Sequence, residues 1–459
     1  MRSERVVQEA PAPGSFRVIP RAEHAISRKS ISAGALRVLY RLHESGHRAC
    51  LVGGAVRDLL LGGHPKDFDV ATDATPEQVR ALFRNCRLIG RRFRLAHVVF
   101  GREIVEVATF RGSSDDGSGD RHLVDGRLVR DNVYGTIEED AVRRDFTVNA
   151  LYYDISDFSV LDSVGGMSDL QQRVLRLIGE PEQRYREDPV RMLRAARLAA
   201  KLGFEIEAAT AAPFATLGPL LAEAPPARLF DESLKLFLAG HGLASFRALE
   251  RHGLLQQVFP ATARVLAHEG VGHFRRLVEQ TLANTDARVR EDKPVTPAFL
   301  FAALLWEPVR LAAQAMIDSG SDPGSAWSHA GERILREQAQ RVAIPRRFTI
   351  AVEEIWAMQP RFSQRTKKRA FRLLEHPRFR AAYDFLVLRA DESAELAELA
   401  AWWTDAQSLA HDQLSERLAN VPAAATVDST APAKRKRPRR RRRKGKGPAA
   451  AAPTAEGGE

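Results

Sequence analysis

Cysteine is nearly absent from this 459-residue chain, with Cys50 and Cys86 its only two. Two thiols cannot build a disulfide framework or a cysteine-based zinc site. Long apolar runs are missing as well. The longest, Ala298 to Trp306, is nine residues, against about 20 needed to cross a bilayer as a helix. The opening residues, MRSERVVQEAPAPG, contain no apolar stretch of the kind an export signal requires. The expectation is a cytoplasmic protein with no membrane contact. A glycine-rich loop ending in Gly-Lys-Ser or Gly-Lys-Thr is also lacking, so nothing is held in P-loop fashion. There is no internal repeat.

The net charge of +11 is local. Residues 434–446 (KRKRPRRRRRKGK) hold eleven Lys or Arg and no acid, and removing them takes the formal charge to zero. The cations are Lys434, Arg435, Lys436, Arg437, Arg439, Arg440, Arg441, Arg442, Arg443, Lys444 and Lys446. Like charges flanked by Pro, Ala and Gly cannot pack a core, so residues 421–459 are expected to form a disordered basic tail. Such a tail suits non-specific RNA binding, and equally a plain solubility segment.

At this length two to four modules are expected. Residues 1–28 read as a flexible N-terminal arm. Ser32 is set as an N-cap, and Leu36, Leu39 and Leu42 follow a helical period up to Gly46. Ala49–Val52 reads as a buried strand, Ala55–Leu61 as a helix and Phe68–Ala71 as a second strand. Thr75-Pro76-Glu77-Gln78 is a helix start with a capping box. Val98–Phe100 and Ile104–Thr109 read as a hairpin, 112–121 as a loop, and 152–155 and 160–161 as further strands of one sheet. Past Gly165-Gly166 helical periods dominate. The fold class is α+β: a mixed-sheet head over 29–163, a helical neck over 164–240 and a helical body over 241–420.

Chemistry concentrates in LVGGAVRDLLLGGHPKDFD, residues 51–69. On a strand Asp67 and Asp69 share one face while Phe68 points inward. Two carboxylates about 6–7 Å apart repel by about 2.5 kcal/mol at an effective dielectric near 20. A hard divalent cation reverses that sign, and Mg²⁺ bound by carboxylates plus substrate phosphates is the usual solution, with room for two ions. Asp-x-Asp is also common in surface turns. Gly53-Gly54 admits two readings of equal weight: a cradle for phosphate at a helix start, or a tight turn that needs positive φ. Arg57 can reach triphosphate oxygens or lie exposed on its helix.

Two residues compete as a third carboxylate. Glu106 lies in an apolar strand (IVEVATF), where an unpaired charge is costly. Asp145 lies in VRRDFTVNAL beside Arg143 and Arg144, and also reads as an ion-paired loop residue. Further on, Asp188-Pro189 starts a helix with Asp188 as N-cap. Arg191 and Arg194 follow at spacings of three, near Asp188 on one face. Aspartate accepts from a base amino group and guanidinium donates to ring nitrogens, although a cap and a solvated helix face give the same pattern. His411-Asp412 has no second His pair and reads as surface.

Taken in order, LVGGAVRDLLLG, DFD, VEVATFR, RRDFTVNALYYD and REDPVRMLRAARLAAKLGF resemble the class II nucleotidyltransferase family, which contains tRNA CCA-adding enzymes and bacterial poly(A) polymerases. The resemblance covers about residues 30–240. It implies a nucleotidyltransferase head, a neck that completes the nucleotide pocket and binds RNA, a helical body for RNA, Asp67 and Asp69 as metal ligands, Glu106 beside them and Arg57 on the triphosphate. Arg111, Arg144, Asp145 and Asn149 would surround sugar and phosphates, and Asp188 and Arg191 would orient the base. GRRFRLAHVVFG (90–101) and the arginine-rich tail resemble the poly(A) polymerase branch. The implied activity is template-independent transfer of AMP from ATP to RNA 3′ ends with Mg²⁺, serving mRNA turnover alongside RNA-decay proteins. The alternatives are a CCA-adding enzyme and a non-catalytic RNA-binding protein on the same scaffold.

Overall fold

The computed structural model describes residues 16–90, 94–112, 121–124, 127–131, 133–268 and 272–419. The tail and the first fifteen residues lie outside the described residues. The head is built on eight strands: β1 (Arg17–Ile19), β2 (Ala49–Val52), β3 (Asp69–Thr72), β4 (Cys86–Ile89), β5 (Leu95–Phe100), β6 (Glu103–Thr109) and, after a separate hairpin of β7 (Arg121–Val124) and β8 (Arg127–Asp131), β9 (Leu151–Asp154) and β10 (Val160–Asp162). Their order across the sheet is β1-β10-β9-β2-β3-β6-β5-β4. Every pairing is antiparallel except β3 with β6.

Local chemistry explains the head helices. In α1 (Ala33–Glu44) the Ser32 side chain accepts from the Ala35 amide, and Ala35, Val38, Leu39 and Leu42 are buried on one face. Each buried Leu or Val is worth about 1.5–3 kcal/mol relative to exposure. α2 (Gly54–Leu60) follows the glycine pair. α3 (Pro76–Leu82) carries the expected capping box between Thr75 and Gln78, and α4 (Ile137–Arg143) carries a second between Thr136 and Glu139. The sheet is covered on both faces, by a cluster that includes Val38, Leu51 and Val70 and by another that includes Cys50, Ala71, Phe110 and Tyr152.

The expected arm is corrected in part. Residues 17–19 pair with β10 as the sheet's edge strand, because Ile19 buries a side chain against the α1 core. Polarity and proline hid a strand only three residues long. The hairpin of β5 and β6 and the sheet membership of β9 and β10 match expectation.

The neck contains α5 (Gly166–Gln172), α6 (Pro181–Glu187), α7 (Val190–Leu202), α8 (Ala208–Ala211), α9 (Phe214–Leu217) and α10 (Pro226–Phe237), with a short pair of β11 (Val174–Leu175) and β12 (Glu205–Ile206). The body continues with α11 (Gly242–Arg251), α12 (Leu255–Val258), α13 (Pro260–Leu266), α14 (Gly272–Arg290), α15 (Pro297–Asp318), α16 (Pro323–Ala339) and α17 (Arg346–Met358). It ends in α18 (Lys367–Leu374), α19 (Phe379–Leu388), α20 (Ala394–Ser408) and α21 (His411–Ala419).

No break falls at residue 240. One core runs from Phe146 through Leu193, Phe237 and Phe259 to Phe301 and Trp356, since α10 packs on both α7 and α11. The division comes later, where Met358, Phe362, Phe379 and Trp403 begin a separate cluster. The longest apolar run lies in α15, which is long and apolar enough to span a bilayer by composition. Leu300 to Val309 of that helix are all buried inside the protein, so its apolarity is that of a central core helix.

Candidate active site

Strand register assembles the site. Val52 at the end of β2 pairs with Asp69 of β3, and Asp69 pairs in turn with Glu106 of β6. The three positions stand level across neighbouring strands. Asp67 lies outside β3, two residues before Asp69, and is exposed, while Phe68 between the two aspartates is buried. The turn after β2 places Gly53 at φ 75°, ψ −140°, a conformation open to glycine. A Cβ there would lie 3.8 Å from Asp69 Oδ2 and 3.8 Å from Arg144 Nη1. The turn therefore lies beside a carboxylate and a guanidinium at once, and its positive φ matches the tight-turn reading.

Asp69 is exposed, yet neighbouring protein groups crowd its carboxyl. Burial, then Glu106 and Asp67, push its pKa up to about 6, with Arg144 acting in the opposite sense. Among the described residues no three His, Cys, Asp or Glu side chains are gathered to hold an ion by themselves. A crowded carboxylate pair that needs further oxygen donors fits Mg²⁺, which usually completes its shell with water and substrate phosphates.

The expectation of a buried Glu106 is corrected. Its side chain is 47% exposed and 3.2 Å from His97 of β5, because β6 turns that face towards solvent rather than the core. Asp145 sits in a separate hydrogen-bonded cluster. It accepts from Arg194 Nε at 3.0 Å and Nη2 at 2.5 Å, from Asn149 Nδ2 at 3.1 Å and from the Phe146 amide at 2.8 Å. Burial raises its pKa, but Arg194 and these hydrogen bonds outweigh it and hold the carboxyl at about 2.

Arg57 departs from the exposed reading. It is 3% exposed, donating to Asp58 Oδ1 through Nε and Nη2 at 2.8 and 2.6 Å and to Asn149 through Nη1. Its Nη2 lies 3.3 Å from where a Gly54 Cβ would sit. Asp58 also accepts from Lys201 of α7 at 3.0 Å. A polar chain thus runs from α7 through Asp58, Arg57, Asn149 and Asp145 back to Arg194 on α7, fastening the glycine turn to the neck.

Two residues without a mark in the sequence, Asp140 and Tyr152, belong to this site. Asp140 accepts from Arg144 Nε and Nη2 at 3.1 and 2.9 Å and from the Tyr152 hydroxyl at 2.6 Å. Burial opposes the Arg144 charge, but Tyr152 and Asp140 more than compensate, so its pKa is raised. The i, i+4 spacing of Asp140 and Arg144 was the available signal. Arg111 approaches through its backbone, its amide donating to Asp140 at 3.2 Å.

On the neck, Asp188 accepts from both Arg228 Nη atoms at 2.8 and 2.6 Å, and from the Val190 amide at 3.2 Å. The N-cap position falls on Pro189 and α7 starts at Val190, one residue later than expected, with Asp188 still bonding the first turn. Arg191 donates to the Arg184 carbonyl at 2.7 Å and to Glu187 at 3.1 Å. The tail cations Lys434 to Lys444 lie outside the described residues.

Comparison with known proteins agrees with this geometry. Residues 49–176 match the poly A polymerase head domain, 203–266 the probable RNA and SrmB-binding site of polymerase A, and 319–444 the polymerase A arginine-rich C-terminus. Poly(A) polymerase I of Escherichia coli O6:H1 is 54% identical over 413 residues, covering 88% of this chain and 89% of that one. The chain belongs to the bacterial poly(A) polymerase family. A CCA-adding enzyme of Bacillus subtilis is 40% identical over 217 residues, covering 47% of this poly(A) polymerase family member and 52% of the relative. Among solved structures, the Bacillus stearothermophilus CCA-adding enzyme in complex with CTP is 26% identical with a TM-score of 0.51, covering 84% of this chain and 82% of that one.

Proposed function

We infer that the protein adds AMP from ATP to RNA 3′ ends without a template. The observation that carries this is the level placement of Asp69 and Glu106 beside Gly53 and Arg144, in a chain 54% identical to a poly(A) polymerase I over most of its length. The RNA 3′-hydroxyl attacks the α-phosphorus of ATP, a new P–O bond forms, and the bond to the leaving pyrophosphate breaks. Asp67 and Asp69 would hold Mg²⁺, which when bound would supply Lewis-acid activation of the hydroxyl and charge for the pyrophosphate.

The chain's own groups set the geometry. Gly53 lets the backbone approach the phosphates, and Arg144, held in place by hydrogen bonds to Asp140 and Tyr152, faces them. Glu106 is the third carboxylate. Asp145 positions Arg194 and Asn149 instead, and Arg57 stiffens the turn through Asn149. Asp188, set by Arg228, and Arg191, set by Glu187, present acceptor and donor to the base. Cytoplasmic location, a part in mRNA turnover and association with RNA-decay proteins follow from family resemblance.

The test is a primer assay with ATP or CTP supplied separately. Long A tracts on unrelated RNAs are expected. CTP-dependent addition confined to tRNA would mark a CCA-adding enzyme, and no incorporation with retained RNA binding would mark a silent scaffold.

A further inference from the structure

The row of paired residues that holds Asp69 and Glu106 does not stop at β6. Glu106 pairs with His97 of β5, and His97 pairs with Arg87 of β4. Directly paired residues on neighbouring strands project to the same face of a sheet. Asp69, Glu106, His97 and Arg87 therefore stand in one line on the side that carries the carboxylates. His97 Nε2 lies 3.2 Å from Glu106 Oε1. An ionised carboxylate only accepts, so the imidazole donates through Nε2. Among the described residues, His97 is the one group that hydrogen-bonds the Glu106 carboxylate.

The two side chains differ in freedom. Glu106 is 47% exposed and His97 only 20%. On its own strand Glu106 shares a face with Ile104 and Ala108, which offer it no hydrogen bond, and Asp69 repels it. A half-exposed glutamate beside a like charge has rotamers that carry its carboxylate out into water. His97 has fewer torsions and sits in mid-strand between the buried Ala96 and Val98. The imidazole is thus the fixed member of the pair and the carboxylate the one that needs fixing.

We propose that His97 is a positioning residue for the reaction, holding the Glu106 carboxylate level with Asp69 before substrate binds. This rests on the reading of the protein as an RNA-elongating enzyme with Glu106 as its third carboxylate. A half-exposed pair of this kind adds little to stability, so positioning and packing separate in experiment.

The test compares the full chain with His97→Leu, which removes the donor, and His97→Gln, whose side-chain amide restores one. In the primer assay His97→Leu should lower kcat about 10–100-fold. The KM for ATP should stay within about twofold, and His97→Gln should recover most of the lost kcat. Mn²⁺ binding with α,β-methylene-ATP present, followed by the paramagnetic resonance of the free ion, should weaken about tenfold in His97→Leu and recover in His97→Gln. Thermal unfolding of both variants should match wild type. Added to Glu106→Gln, His97→Leu should cost less than about twofold more, because its effect passes through that carboxylate. Three results would each overturn the positioning role: wild-type kcat and Mn²⁺ affinity in His97→Leu, a full further loss on top of Glu106→Gln, or a lowered unfolding temperature with no rescue by glutamine. A wild-type chain that elongates primers beside any of these leaves the functional reading standing. A wild-type chain that does not elongate overturns that reading and this inference with it.

Discussion

Asp69, Glu106 and Asp145 have different partners, so their substitutions are expected to have different effects. Asp69 stands against Glu106 and Asp67, so Asp69→Ala should remove several kcal/mol of transition-state stabilisation, a loss of about three orders of magnitude in AMP incorporation. Thermal unfolding should be no worse than wild type, and retained activity would refute the metal assignment. Glu106 is exposed, so Glu106→Gln should lower kcat in the primer assay while leaving stability within about 0.5 kcal/mol. Asp145→Asn should do the reverse. It strands Arg194, itself one-third exposed, and should cost about 2–3 kcal/mol in denaturant unfolding, below the full penalty of a buried pair because solvent screens the guanidinium. The sign with pH follows from its depressed pKa of about 2. Its contribution is complete above about pH 4, the ordinary carboxylate value, and fades as pH falls towards 2. The stability gap between wild type and Asp145→Asn should narrow over that window, and a constant gap would refute the pairing argument.

At the level of elements, the unit that matters is β2, the glycine turn and α2. Gly53→Ala keeps 3.8 Å from Asp69 and Arg144, so its effect is backbone strain rather than collision. Forcing a side chain into φ 75°, ψ −140° should cost about 1–3 kcal/mol. Relief of that strain would move Asp69 relative to Arg144, so kcat/KM for ATP should fall more than stability predicts. Unchanged ATP kinetics would show the turn to be structural only. Such units were legible because their signals are local: the Ser32 cap, the Thr75 box and the β5–β6 hairpin each lie within a few residues. What was not legible depends on distant partners. Arg57 reads as an exposed helical arginine until Asn149, 92 residues away, is found beneath it. Glu106 reads as buried because its strand is apolar, and only the strand's facing shows otherwise. Tyr152 had the alternation of a core strand residue, and nothing local marked its hydroxyl for Asp140.

For the whole molecule, charge is organised more sharply than mass. Cores merge across the neck and body, whereas the cations segregate, with eleven in residues 434–446 and the remainder neutral in sum. A neutral body gives little long-range attraction for RNA, so affinity should depend on these local concentrations and therefore on salt. If about five tail cations meet phosphates, they contribute a single-strand salt slope of about −3.5. A fourfold rise in salt then weakens binding by about two orders of magnitude. Deleting residues 430–459 should flatten the slope by that amount and raise the apparent KM for RNA, most visibly at low salt where counterion release is largest. A slope unchanged by the deletion would mean that the tail's charge is not used on RNA, leaving the body's own cations as the source of affinity.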